Sequence, residues 1–405
     1  MTRLPRLAVT GLAVLTLAVA LPASGSAAPA DSGRTADFGP ATLTGFAKLP
    51  AATFVPASDP SGSLLGAAPV NGITPPFADQ PVQGFSGIAR NRDGSYDVLS
   101  DNGYGNIANS ADFVLRIHRI IPAFGSHTVD VVGGINLTDP NGLVPWPLTR
   151  ADRVLTGSDF DVESIVKDAD GGYWIGDEFG PYLLHFDRAG RLLAAPIPLE
   201  GVHAPESAAR DGVTANLPSS KGFEGMAASP DGRYLYPLLE GTVAGDVPGT
   251  LRISQFDRAA NAYTGRRWAY PLAATGNAIG DFIAVDKQRF LVIERDNAQG
   301  DAAAFKKIFL VDLADRDRDG LADKSLVADL LAIADPQHLG GTADVFRFPF
   351  QTIEDVLILD NRTLAVLNDN NFPFSSGRTP GQPDDDEFIT IRLDRSLHAD
   401  HRVLD

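Results

Sequence analysis

Three glutamates, Glu163, Glu224 and Glu354, occupy the same place in three copies of a recurring segment. Carboxylates gathered at matched positions are the ligands a hard divalent cation takes. The segment occurs five times: GFSGIARNRDGSYDVLSDNG (84–103), DVESIVKDADGGYWIGDEFG (161–180), GFEGMAASPDGRYLYPLLEG (222–241), AIGDFIAVDKQRFLVIERDN (278–297) and TIEDVLILDNRTLAVLNDNN (352–371). Each copy reads as an apolar strand, a polar turn such as Asp231-Gly232 or Asp360-Asn361, and a second apolar strand. A tight turn brings the outer ends of a hairpin together. Glu163 is therefore predicted beside Asp177 and Glu178, Glu224 beside Glu240, and Glu354 beside Asn368 and Asp369. Ser86 takes the glutamate position in the first copy, and the fourth copy has Gly280-Asp281 there. Asp101, Asn102 and Glu294 to Asn297 extend the polar ends.

Clustered carboxylates repel one another and are costly to desolvate, and a cation relieves both problems. The ligand candidates are Glu163, Asp177, Glu224, Glu240, Asp296, Glu354 and Asp369. The candidates for catalysis, as ligand or base, are Glu163, Asp177, Glu178, Glu224 and Glu354. Oxygen donors, with no cysteine and seven histidines at unrelated positions, favour calcium, then magnesium or manganese, over zinc. The competing reading is that acidic and amide side chains cap turns. It suits Asp93, Asp231 and Asp360 in the hairpin turns. It suits the glutamates poorly, because Glu is not a turn residue and is depleted in strands.

A second cation site is predicted at Asp315, Asp317, Asp319 and Asp323, where alternating acids and Gly320 match the front of a calcium loop. Leu326 stands where an EF-hand would place its bidentate Glu, so the loop is not an EF-hand and its ion would be structural. A solvated charged turn is the alternative. Arg295 and Lys221 lie among the acids and are the candidates for meeting an anionic substrate; ion pairing with a neighbouring carboxylate is the plainer role for each. No G-x-S-x-G elbow, H-E-x-x-H or phosphate-binding glycine loop occurs, so chemistry rests on carboxylates and a metal rather than a Ser-His pair.

The elements that must position these residues follow from the repeats. Further strand-like runs lie between the copies: 113–121 with 128–137, 183–187 with 191–199, 251–256 with 263–272, and 308–313 with 325–331. One inner hairpin plus two outer strands makes a four-stranded antiparallel blade. The fifth unit has one outer strand of its own, 387–393, and residues 41–51 can supply the missing one, closing the ring with strands from both termini. The prediction is an all-β fold: a single β-propeller over 41–405, with five blades counted. A sixth is possible if residues 54–82 hide a hairpin. A solenoid is the competing repeat architecture. Helical signal is confined to short pieces such as 329–334.

Arg3 and Arg6, an apolar run from Leu7 to Leu21 and small residues to Ala30 read as a secretory signal peptide over 1–30, followed by a disordered linker over 31–40. Without that leader the formal net charge moves from −17 to about −19. Such a surface disfavours nucleic acid and anionic membranes as partners and accepts cations. With no cysteine, no disulfide supports the expected extracellular protein, and calcium is a natural substitute. A monomer is expected.

The residues of the second copy through Pro181 (Glu163-Ser164-Ile165, then Gly171 to Pro181), Phe223-Glu224-Gly225-Met226 and Asn368-Asp369-Asn370-Asn371 resemble the bacterial phytase-like proteins labelled "esterase-like activity of phytase". The resemblance covers nearly all of 84–393, with Asp177-Glu178-Phe179-Gly180-Pro181 its most specific part. It implies a secreted propeller with phosphoester or ester hydrolase activity and transfers no catalytic residue set. The leading expectation is a calcium-dependent phosphoester hydrolase acting on a small-molecule substrate. A metal-dependent lactonase or carboxylic esterase, and a non-catalytic calcium-stabilised binding module, are the alternatives.

Overall fold

The computed structural model describes residues 38–404; the expected signal peptide and most of the expected linker lie outside them. Phe38, expected in the linker, is instead buried against Leu43 and Leu397, so the folded chain begins before the expected boundary.

The first strand, β1 (Thr42–Leu49), is separated in sequence from the blade that comes after it. Four antiparallel strands make this first blade: β2 (Gly87–Arg90), β3 (Tyr96–Leu99), β4 (Arg116–Ala123) and β5 (Thr128–Asn136). The second has β6 (Val162–Lys167), β7 (Tyr173–Asp177), β8 (Tyr182–Phe186) and the stub β9 (Ile197–Pro198). A short helix, α1 (Pro205–Asp211), precedes the third: β10 (Phe223–Ala228), β11 (Tyr234–Leu239), β12 (Thr250–Asp257) and β13 (Ala262–Pro271). The fourth has β14 (Ala278–Ala284), β15 (Arg289–Arg295), β16 (Lys306–Asp312) and β17 (Asp323–Asp329). After the short strands β18 (Ile333–Ala334) and β19 (Val345–Phe346) comes the fifth: β20 (Thr352–Asp360), β21 (Thr363–Asp369) and β22 (Asp386–Arg392). Its fourth strand is β1, paired antiparallel with β22 from Thr42↔Arg392 to Leu49↔Asp386. A helical turn, α2 (His401–Leu404), ends the described chain.

The first strand of each blade touches the first strand of the next, β2 to β6 to β10 to β14 to β20 and back to β2. That closed circuit makes the molecule a β-propeller and excludes a solenoid. Residues 54–82 contribute only isolated bridges, such as Phe54↔Pro81 and Ser61↔Phe77, and no hairpin. The segment 329–334 is not helical: Ile333–Ala334 is strand, drawn into pairing with Val345–Phe346 and against Thr42. The helix α1 forms instead between the second and third blades.

Apolar burial follows the seams between blades. Separate clusters fill each junction, for example Val162, Ile165, Leu115 and Ile117 between the first two blades, and Ile279, Phe282, Tyr236 and Ile253 between the third and fourth. Inner strands are buried on both faces, as their near-continuous apolar runs require, whereas β5 and β13 are largely exposed. The ring is tight. A Cβ at Gly280 would lie 1.9 Å from the Ile353 carbonyl oxygen, and one at Gly225 would lie 2.7 Å from Phe282. Glycine there is the condition for neighbouring inner strands to approach.

Candidate active site

The ladder between the first two strands of a blade slips near its start, at the same place in four blades. The slips fall between Val162 and Ser164, Phe223 and Gly225, Ile279 and Asp281, and Ile353 and Asp355. The residue left over in each bulge is Glu163, Glu224, Gly280 or Glu354. A bulge frees its extra residue from the ladder and re-aims it. Ser86 precedes β2 at the matching place. At the adjoining ends of the second strands stand Asp101, Glu178, Glu240, Arg295 and Asp369. Ala278 is registered with Arg295 and Thr352 with Asp369, while the Glu178 and Glu240 amides donate to the carbonyls of Asp161 and Gly222. Repetition of one hairpin around the ring thus converges two sets of acids on one mouth.

Glu163, Glu178, Glu224, Glu240 and Glu354 are each buried, at 4–6% exposure. Asp101, Asp161 and Glu163 bring one oxygen apiece within 4.8 Å of one another, and so do Glu163, Glu178 and Glu224. Glu163 belongs to both triads. The cations present reach Glu354, Glu240 and one triad member, Glu224. The Arg295 Nη2 lies 3.2 Å from Glu354 Oε1, 3.5 Å from Glu240 Oε1 and 3.6 Å from Glu224 Oε1. Lys221 Nζ pairs with Glu240. Ser86 Oγ donates to Glu354 Oε2 at 3.0 Å. Among the described residues, Glu178 Oε1, Glu224 Oε1 and Glu240 Oε1 accept no hydrogen bond.

Electrostatics follow this division. Burial, then the charge of Asp161 and its neighbours, pushes the Glu163 carboxyl well above its usual range. Burial likewise raises Glu178, despite Lys221, and Glu224, with Glu240 adding to the effect. Asp101, Glu354 and Asp369 are pushed up to about 8, first by burial and then by Asp161, Asp369 and Asp101 respectively. Glu240 is the exception: burial would raise it, but Lys221 and Arg295 together hold it below the usual value. A mouth that must protonate its carboxylates in the absence of a counter-charge is one that a divalent cation fits. All-oxygen donors, several of their oxygens without a hydrogen bond among the described residues, match calcium or magnesium.

Of the expected rim ligands, Glu163 and Glu224 belong to these triads, and Asp177, Glu240, Asp296, Glu354 and Asp369 do not. Asp177 turns its Oδ1 to the Asp161 amide at 2.8 Å, so it fixes the backbone that carries Asp161. Asp296 is taken up by Lys306 Nζ at 3.0 Å and by the Ala304 and Phe305 amides at 2.8 and 2.9 Å. Asp315, Asp317 and Asp319 converge on the β16–β17 loop, with carboxylate oxygens within 4.8 Å, whereas Asp323 accepts the Arg316 amide at 2.9 Å. The repeat pattern does not mark Asp161. Its counterparts in the other copies are Gly84, Gly222, Ala278 and Thr352, so repetition gives it no signal. What marks it is its place directly before an inner strand whose bulge carries Glu163.

Comparison with known proteins adds a relative and a family. An uncharacterized secreted protein of Arthroderma benhamiae is 31% identical over 105 residues, which is 21% of this chain and 20% of that protein. The chain thus spans about a fifth of that relative's length. Among solved structures, the periplasmic gluconolactonase of Pseudomonas aeruginosa is 14% identical, with 80% of this chain and 78% of that one covered at a TM-score of 0.33. A putative 6-phosphogluconolactonase from Bacteroides uniformis is 12% identical, covering 78% and 88%, at a TM-score of 0.34. The family model for phytase-like proteins, described as "Esterase-like activity of phytase", matches residues 80–372, and the chain belongs to that family.

Proposed function

We propose that the protein is an extracellular, metal-dependent hydrolase of phosphate esters that works at the acidic mouth. The observation that carries this reading is the pair of triads sharing the buried Glu163. A residue common to two oxygen sites could serve more than one divalent cation, which would supply Lewis acidity toward a phosphoryl group. Calcium is the favoured ion. Bound there, it supplies Lewis acidity and a positive charge that the carboxylates lack.

The chain's own groups have separate tasks. Asp101, Asp161, Glu178 and Glu224 hold the cations on either side of Glu163. Arg295 and Lys221 neutralise Glu354 and Glu240, which leaves the side of Glu163 and Glu178 to the cations, with Glu224 at the border, 3.6 Å from Arg295. Arg295 is also placed to meet an anionic oxygen of the substrate. Glu354 is held by Ser86 and Arg295 at the boundary between the two halves, where it can accept a proton. The family label and the secreted relative support an extracellular ester hydrolase.

The charge of the molecule favours a second reading. A formal net charge of −17 opposes a polyanion until cations are bound, whereas a neutral lactone or carboxylic ester meets no such barrier. The deciding experiment is a metal-replete activity screen over phosphate monoesters, phosphodiesters, carboxylic esters and lactones. Turnover of phosphate esters that disappears with chelator supports the first reading, and turnover of lactones alone supports the second. No turnover on any class, with calcium still bound at the mouth, leaves a calcium-stabilised binding module.

We also propose a structural calcium ion in the loop of Asp315, Asp317 and Asp319.

A further inference from the structure

The inner strands end at a second mouth, opposite the acidic one. A cavity of about 960 Å³ opens there among the last residues of β2, β6, β10, β14 and β20. This volume lies within the range of small-molecule sites. Its wall is apolar, formed by Ile88, Ile165, Ala228, Ile283 and Leu357. One side carries an aromatic stack: His185, partly exposed, lies over the buried Trp174 with ring centroids 4.1 Å apart and 10° between planes.

The charges at this mouth are of the other sign. Arg90, Lys167, Arg233, Arg258 and Arg402 line it. Its acids are tied back into the protein: Asp168 to His185 and Arg258, and Asp231 to Ser229 and the Arg233 amide. Lys167 is paired with Asp97, Arg233 with Asp257 and Arg402 with Asp400. The Arg90 side chain is exposed and makes no hydrogen bond or ion pair among the described residues.

We propose that this mouth is a second ligand site, for an organic anion with an apolar, preferably aromatic, body. The wall removes the body from water, the Trp174–His185 face stacks with a ring, and Arg90 supplies the unused charge. Without bound cations the acidic mouth repels an anion, whereas this mouth attracts one. The inference does not rest on the hydrolase reading.

Calorimetric titration with naphthalene-2-sulfonate, its neutral sulfonamide and inorganic sulfate separates body from charge. The expected result is one saturable site for the sulfonate, about tenfold or more weaker binding of the sulfonamide, and none of sulfate. Arg90→Glu, at an exposed position, should weaken the sulfonate by about tenfold or more and leave the sulfonamide unchanged. Leu357→Trp, which narrows the cavity, should weaken both. Equal affinities for sulfonate and sulfonamide, or no binding of either, would overturn the proposal. So would unaltered sulfonate binding by Arg90→Glu. Sulfonate binding that vanishes with EDTA would place the anion on metal at the acidic mouth and overturn it as well.

Discussion

Glu163 is the residue on which the acidic mouth turns, because both triads require it. Glu163→Gln keeps the shape and removes the charge. Activity on a substrate of the native protein should fall by about two orders of magnitude or more, a barrier increase of about 2.7 kcal/mol. Calcium binding measured calorimetrically should weaken in parallel, whereas the fold survives because carboxylate repulsion is relieved. Undiminished turnover by Glu163→Gln and by Glu224→Gln would remove the mouth as the active site. A different residue governs acid stability. His118 on β4 is fully buried, with no partner for either ring nitrogen among the described residues, and burial, then Arg116, pushes it down to about 3. The folded protein therefore refuses a proton that the unfolded chain takes up near 6.5. Its contribution is complete above that pH and is lost progressively as pH falls toward about 3. Melting temperatures of the parent should decline across this window more steeply than those of His118→Leu; equal slopes would show that other groups dominate.

At the scale of the element, the bulge and the glycine beside it do the positioning. Gly280→Ala places a Cβ against the Ile353 carbonyl, which cannot yield without parting the fourth and fifth blades. A loss of about 1–3 kcal/mol or more is expected, read as a lower urea midpoint with unchanged slope. An unaltered midpoint would mean that the seam is slack. The β16–β17 loop offers the complementary test. Asp317→Ala with Asp319→Ala should lower the melting temperature in calcium and leave turnover per folded molecule nearly intact. The hairpins were legible because polar turns such as Asp231-Gly232 separate apolar runs, and their repetition fixed which ends meet. The bulges were not, since a one-residue slip leaves no compositional trace, and so neither was the aim of Asp177 away from the mouth. Strand β9 is shorter than the expected 191–199 because Pro196 and Pro198 cannot donate to a ladder. Pro205 followed by an Ala-rich stretch did carry the signal of a helix start at α1. Residues 329–334 went the other way, because β1 and β19 offered them partners that no local pattern discloses.

The whole molecule joins an acidic mouth to a ring whose apolar contacts are divided among seams, and bound calcium would tie several blades at once. Melts in EDTA and in millimolar calcium should differ by several degrees, since a ligand of the native state alone adds about 2.7 kcal/mol at a hundredfold excess over its dissociation constant. Identical melts from a metal-free preparation would argue against calcium at either site. The ring has one further property. Thr44 bonds to Thr390 across 346 positions of sequence, so the strand synthesised first waits for the one synthesised last. Closing so long a loop costs about 5 kcal/mol of chain entropy by logarithmic scaling. Until β22 emerges, blade five has an open edge and the circuit of inner strands is incomplete. Until then the nascent chain has no route to its closed state and stays threadable.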